Sequence, residues 1–174
     1  MWVTGEATYA QDVYCWGLTR LSDLASYAGD YASTRKVKVT NSDGVVNTYD
    51  LYGALLEGSE KDNPYLGPNY TIEFLPSEKE VILAGCVKKT GVFQLLEKDN
   101  LYDVITNYGK GYLANAITTY VTVANYENDN YVVKTIESQD FSSYIPKNGD
   151  LITVNQVSQD LPYVTIVVAV NTPN

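Results

Sequence analysis

Residues 2–30, WVTGEATYAQDVYCWGLTRLSDLASYAGD, align without a gap on residues 82–110, ILAGCVKKTGVFQLLEKDNLYDVITNYGK. Gly5 falls on Gly85, Val13 on Phe93, Leu21 on Leu101, Asp23 on Asp103, Leu24 on Val104 and Gly29 on Gly109. A period of about 80 residues exceeds the ~20–50 of stacked repeats, so each copy is long enough to own a core. The repeat therefore predicts two similar small units in one chain. Burial in a unit of this size gives modest stability, and docking between the copies or on a partner would add to it.

Hydrophobic residues make up 45% of the 174 and charged residues 19%, the balance of a folded chain and not a disordered one. The formal net charge of −9 repels phosphate backbones, and the basic residues cluster only at Arg35, Lys36 and Lys38 and at Lys88 and Lys89. Nucleic acid is excluded as a partner on that ground. Histidine is absent, which removes His-based triads, His general bases and most zinc sites. No phosphate-binding G-x-x-x-x-G-K-[ST] or nucleophile-elbow G-x-S-x-G element occurs. Cys15 matches Leu95 and Cys86 matches Glu6, so a disulfide repeated in both copies is excluded. Two buried free thiols are the preferred reading, with a single bridge between the copies left open.

Each copy spells the same order of elements. In the second, Val81–Val87 and Val92–Leu95 flank the polar turn Lys88-Lys89-Thr90-Gly91, which predicts a hairpin. Leu101, Val104, Ile105 and Tyr108 follow at helical spacing, with Asp99 or Asn100 to cap and Gly109 where a left-handed stop belongs. The first copy repeats this with Thr19 as cap, Leu21, Leu24, Ala25 and Ala28 as the apolar face, and Gly29 as the stop. Second hairpins turn at Asn41-Ser42-Asp43-Gly44 and at Glu127-Asn128-Asp129-Asn130. A short segment and a last strand close each copy, over Tyr70–Leu75 and Leu151–Asn155. The order β-β-α-β-β-turn-β, twice, predicts an α+β chain of two tandem β-grasp (ubiquitin-like) domains, each a mixed sheet carrying one helix. The boundary falls near Pro76-Ser77-Glu78-Lys79, giving domains at 1–77 and 78–174, with an extra strand expected over Tyr163–Val170. That linker is too short to let the domains wander.

The run V-I-L-A-G-C-V-K-K-T-G-V-F-Q-L, the following L-Y-D-V-I and the glycine-marked helix end resemble the SLBB domain, the soluble-ligand-binding β-grasp. Asn63-Pro64-Tyr65-Leu66 through Pro76, and Ile145 to Val154 with Gly149-Asp150, resemble the same family's closing motif. The likeness covers the chain to about residue 155. It departs at Cys86, which stands at the family's glutamate, and at Asp30 and Lys110, which stand at a glycine. The resemblance implies a non-catalytic assembly or binding module of a bacterial polysaccharide (capsule or exopolysaccharide) export protein. It further implies a periplasmic or outer-membrane-associated location, self-association or protein partners of an export assembly, contact with the polysaccharide, and no cofactor. The alternative is a soluble glycan- or small-ligand-binding domain of a periplasmic or surface protein. Met1 stands directly against the first strand, so we expect a piece of a longer protein, and the missing leader says nothing about location.

Sixteen tyrosines against three phenylalanines suit half-exposed sheets, interfaces and sugar-binding faces alike. Tyr27, Tyr31, Tyr108 and Tyr112, around the helix ends, are the candidate ligand or interface residues, with packing or a domain interface preferred over a sugar-stacking shelf. Carboxylate pairs such as Glu57 with Glu60 and Asp99 with Asp103 are glycosidase-like candidates, but they fall on predicted turns or helix starts, where solvated caps are the preferred reading. Glu127–Asn130 lacks calcium-loop spacing, so it reads as a turn, and Asp23 and Asp103 read as first-turn carboxylates favouring a helix dipole. No catalytic, cofactor or metal residue is assigned.

Overall fold

A computed structural model describes residues 1–157, and the strand expected over Tyr163–Val170 lies outside the described residues. The chain is α+β, with two mixed five-stranded sheets and few, short helices. The first sheet contains β1 (Trp2–Gly5), β2 (Gln11–Asp12), β3 (Ala32–Thr40), β4 (Val46–Tyr49) and β5 (Thr71–Pro76), in the order β2-β1-β5-β3-β4. The second contains β6 (Glu80–Gly85), β7 (Gly91–Gln94), β8 (Tyr120–Glu127), β9 (Asn130–Glu137) and β10 (Leu151–Val154), in the order β7-β6-β10-β8-β9. The two orders are identical once each half is counted from its own first strand. In both, the first and last strands pair in parallel at the centre and all other neighbours are antiparallel.

Each half buries its own apolar cluster. Val3, Leu21, Leu24, Val37, Ile72 and Phe74 lead the first; Leu83, Leu101, Val104, Ile105, Val121 and Ile152 lead the second. The predicted face of the second helix is buried, that of the first only at Leu21 and Leu24 with Ala25 and Ala28 half-buried, and the helices differ in kind from the expected α-helix. Leu21–Tyr27 is a 3-10 helix, and Leu101–Asp103 is a single α turn that widens into π geometry over Val104–Tyr108. Segments this short are shaped by what they pack on and not by helix propensity. Asp23 accepts from the Arg20 amide at 2.8 Å, and Asp103 from the Asn100 amide at 3.1 Å, so the repeated aspartate closes a capping contact in both halves.

The repeated glycines fall into two kinds. Gly5 and Gly85 have φ of +76° and +87°, and a Cβ there would stand 2.2 Å from the Phe74 carbonyl oxygen and 2.1 Å from that of Val154. These are the points where the two central parallel strands touch. Gly29 and Gly109, expected as left-handed stops, are not left-handed: Gly109 has φ −74° and Ala28, the cap before Gly29, is extended. They are required by close approach instead, a Cβ meeting the Glu6 and Ile105 oxygens at 2.7 Å in each case. The second hairpin of the C-terminal half turns on Asn128 and Asp129 with φ of 49° and 63°, a two-residue loop whose twist suits the strands. Cys15 and Cys86 are unbridged; Cys86 is buried and Cys15 half-buried.

Gly5→Ala and Gly85→Ala should each lower stability by about 2–4 kcal/mol, combining left-handed strain with a backbone clash. Gly44→Ala, also at positive φ but facing open space, should cost only about 1–2 kcal/mol. Urea unfolding of the three variants measures the difference.

Candidate functional site

Arg35 falls in phase with Val37 and Val39 on β3, so the strand's own alternation turns its side chain to the buried side. The register of β3 on β5 shifts between Ala32 and Val37, a bulge in which Ser33 Oγ accepts from the amides of Arg35 and Lys36 at 3.2 and 3.1 Å. This break in the ladder leaves the Thr34 amide and the Ala32 carbonyl to Gln94 of the other half. The Arg35 side chain that carries the guanidinium is 7% exposed.

Asp50 receives that guanidinium in a fork, from Nε at 3.0 Å and Nη2 at 2.8 Å, while also capping the helix Leu51–Leu56 through the Gly53 amide. The remaining nitrogen, Nη1, donates to the Gln94 carbonyl at 3.3 Å and to the Tyr108 hydroxyl, and lies 3.6 Å from Asp99. Tyr108 in turn donates to Asp99 at 2.5 Å, and Asp99 accepts from the Leu96 amide at 2.8 Å. The rings of Tyr52 and Tyr108 flank the cation with centroids 4.8 and 5.3 Å away. Tyr52 comes from the first half and packs against the core of the second; its hydroxyl has no partner among the described residues. Gln94 completes the joint, its Oε1 accepting from the bulge's Thr34 amide at 2.7 Å and its Nε2 donating to the Ala32 carbonyl at 2.9 Å.

Burial would pull the Arg35 pKa down, but the bonds to Asp50 and Tyr108 outweigh it and raise it, so the cation is held charged. Burial, then the bond it donates to Asp99, push the Tyr108 hydroxyl above the ordinary 10.0, against the pull of Arg35. Beside this cluster opens a cleft of about 570 Å³ between the halves, with Asp50, Glu57, Asp62, Asp99 and Asp103 facing Arg35, Lys61 and Lys98. The carboxylates best placed in it are already engaged: Asp99 and Asp103 by backbone amides, Asp62 by the Ser59 hydroxyl at 2.6 Å. Arg35 and these carboxylates are thus tied to groups of the protein itself, and they hold the halves together across the cleft.

Of the sequence candidates, Tyr108 lies at this joint. Tyr27 packs against the first core and Tyr112 against the second, while Tyr31 is exposed beside Asp30 at a separate surface. The four tyrosines do not share one environment. The apparent basic cluster at Arg35, Lys36 and Lys38 is likewise divided, Arg35 inward, Lys36 paired with Glu78, and Lys38 with Glu73 at 2.6 Å. At the predicted turn, Glu127 accepts from Lys147 at 2.7 Å and Lys134 at 2.9 Å, which holds its carboxyl down at about 2. Sequence reasoning missed Arg35, Asp50, Tyr52 and Gln94 as joint residues. The legible signal was an arginine in phase with two strand valines. No helix among the described residues is long and apolar enough to cross a membrane. No family model matches the chain, and no curated protein matches it in sequence.

Arg35→Met leaves Asp50 and Asp99 unpaired in a buried joint and should cost about 3–5 kcal/mol. Calorimetry should then resolve separate unfolding of the two halves where the wild type unfolds as one. Tyr108 holds its proton above the ordinary tyrosine value, so its contribution is complete below pH 10 and fades as pH rises beyond it. Tyr108→Phe should flatten the alkaline loss of stability measured by urea unfolding at pH 8 and above pH 10.

Proposed function

We propose that the chain is a non-catalytic assembly and binding module of a bacterial polysaccharide export protein, made of two tandem β-grasp domains of SLBB type. The β-grasp reading draws support from the strand order, first-last strands central and parallel, hairpins outside, repeated in both halves. The SLBB reading draws on the glycine-marked motifs, of which Gly5 and Gly85 meet the last strand of their sheets in the same way. The observation that carries the assembly role is the Arg35 joint. A guanidinium shared by Asp50 of one half and Tyr108 and Asp99 of the other fixes two binding modules in one relation, which suits a structural part and not a reaction centre. The module acts in the periplasm or at the outer membrane, with export proteins, further copies of itself and the polymer as its contacts.

In the organism that encodes it, deleting this segment from its gene should abolish surface polysaccharide while synthesis inside the cell continues. Undiminished surface polysaccharide would contradict the proposal.

A further inference from the structure

The joint between the halves uses a surface that the chain carries twice. On the first half, Tyr14, Trp16, Thr19, Asp23 and Tyr27 line an open groove of about 400 Å³. Their repeat counterparts are Gln94, Leu96, Asp99, Asp103 and Asn107. Gln94 grips the β3 bulge, and the other four line the cleft between the halves. The backbone is built alike in both places, since Thr19 Oγ1 accepts from the Trp16 amide at 3.1 Å where Asp99 accepts from that of Leu96 at 2.8 Å. In the second half this face is covered by the first half. In the first half nothing among the described residues covers it.

The uncovered version is the more apolar of the two. Val13 and Cys15 pack on the first core, while Tyr14 between them and Trp16 and Leu18 beyond are 86%, 59% and 60% exposed. Clustered Trp and Tyr on a chain of net charge −9 mark a protein interface more than ordinary surface. We propose that this groove receives the outer end of the second half of another copy of the chain, so that chains join head to tail through the interface that already joins the halves. The strand registers identify the receiving end. Val39 pairs with Ile72 as Val123 pairs with Ile152, and Tyr49 pairs with Val37 as Ile136 pairs with Val121. Thr119, Glu137 and Gln139 thus stand where the first half has Arg35, Asp50 and Tyr52, and all three are exposed.

The substitution of Thr119 for Arg35 sets the chemistry of this joint. It contains no buried guanidinium and is held by the Tyr14 and Trp16 rings over Thr119 and the Gln139 stem, so it is weaker than the joint within the chain. Asp23 approaches Glu137 and both partners are acidic, so added salt strengthens association where a joint made of ion pairs would weaken. A contact of this kind uses different surfaces on the two partners and propagates, closing into a ring or extending as a filament. The inference rests on the assembly role proposed above and gives that role a face and a direction.

Sedimentation velocity of the intact chain, from micromolar to near-millimolar concentration, should show species that grow with concentration and with salt. Tyr14→Ser with Trp16→Ser at one end, and Thr119→Glu with Gln139→Glu at the other, should each weaken association about tenfold or more. All four positions are exposed or flanked by solvent, and circular dichroism confirms folding. Mixing the two double variants should restore one joint and stop at a heterodimer, which a face-to-face contact through Trp16 could not do. A wild-type chain that stays monomeric throughout overturns the head-to-tail joint and leaves the polysaccharide-export reading to its own deletion test. Wild-type association that both variants retain overturns the chosen groove alone.

Discussion

Arg35 is held by groups that neither half of the chain possesses alone. Asp50 offers it a fork from the first half, and Tyr108, Asp99 and the Gln94 carbonyl close around it from the second. Removing an ion from water costs several kcal/mol, and mutual attraction offsets that only where the geometry is good and the remaining donors are satisfied. The fork to Asp50 and the two bonds of Nη1 engage four of the five guanidinium N–H groups, so the cluster sets orientation more than net stability. Any rotation of one half against the other would strip the guanidinium of partners while leaving it buried. Asp50 and Asp99 cannot move to follow it, because each also caps backbone amides of its own half.

The two copies agree where the sheet demands it and differ where they meet. Gly5 and Gly85 touch the last strand of their sheets at nearly the same distance, and Asp23 and Asp103 close the same capping contact. At the joint, the repeat has diverged: Ala28 in the first half corresponds to Tyr108 in the second, and Thr19 to Asp99. A face that must recognise one neighbour has acquired a phenol and a carboxylate. Its counterpart on the first half has acquired exposed aromatic rings instead, which alters what that face can hold without altering the backbone beneath it.

Much of the fold was legible because it follows from local pattern. The hairpins, the Asn128-Asp129 turn and the leading apolar residues of the short helices could be read from neighbours within a few residues, whereas β6, apolar on both sides in sequence, buries only one of them and leaves Ile82 exposed. The helix types were not legible, since packing over a few residues overrode propensity in Leu21–Tyr27 and Val104–Tyr108. Gly29 and Gly109 were read as left-handed stops, yet their need is tertiary, a carbonyl oxygen 2.7 Å from where a side chain would begin. The joint was hidden for the same reason. Arg35 and Tyr108 lie 73 residues apart, and only the packing of the two halves brings the second to the first.

The Arg35 cluster, bonded to both halves at once, holds them in a single orientation. Residual dipolar couplings of backbone amides, collected for both halves in one weakly aligning medium, test it directly. A fixed joint predicts one alignment tensor that fits residues 2–76 and 80–154 together, with equal magnitude in each. Two tensors of different magnitude or direction would mean that the halves reorient and that Arg35 does not lock them.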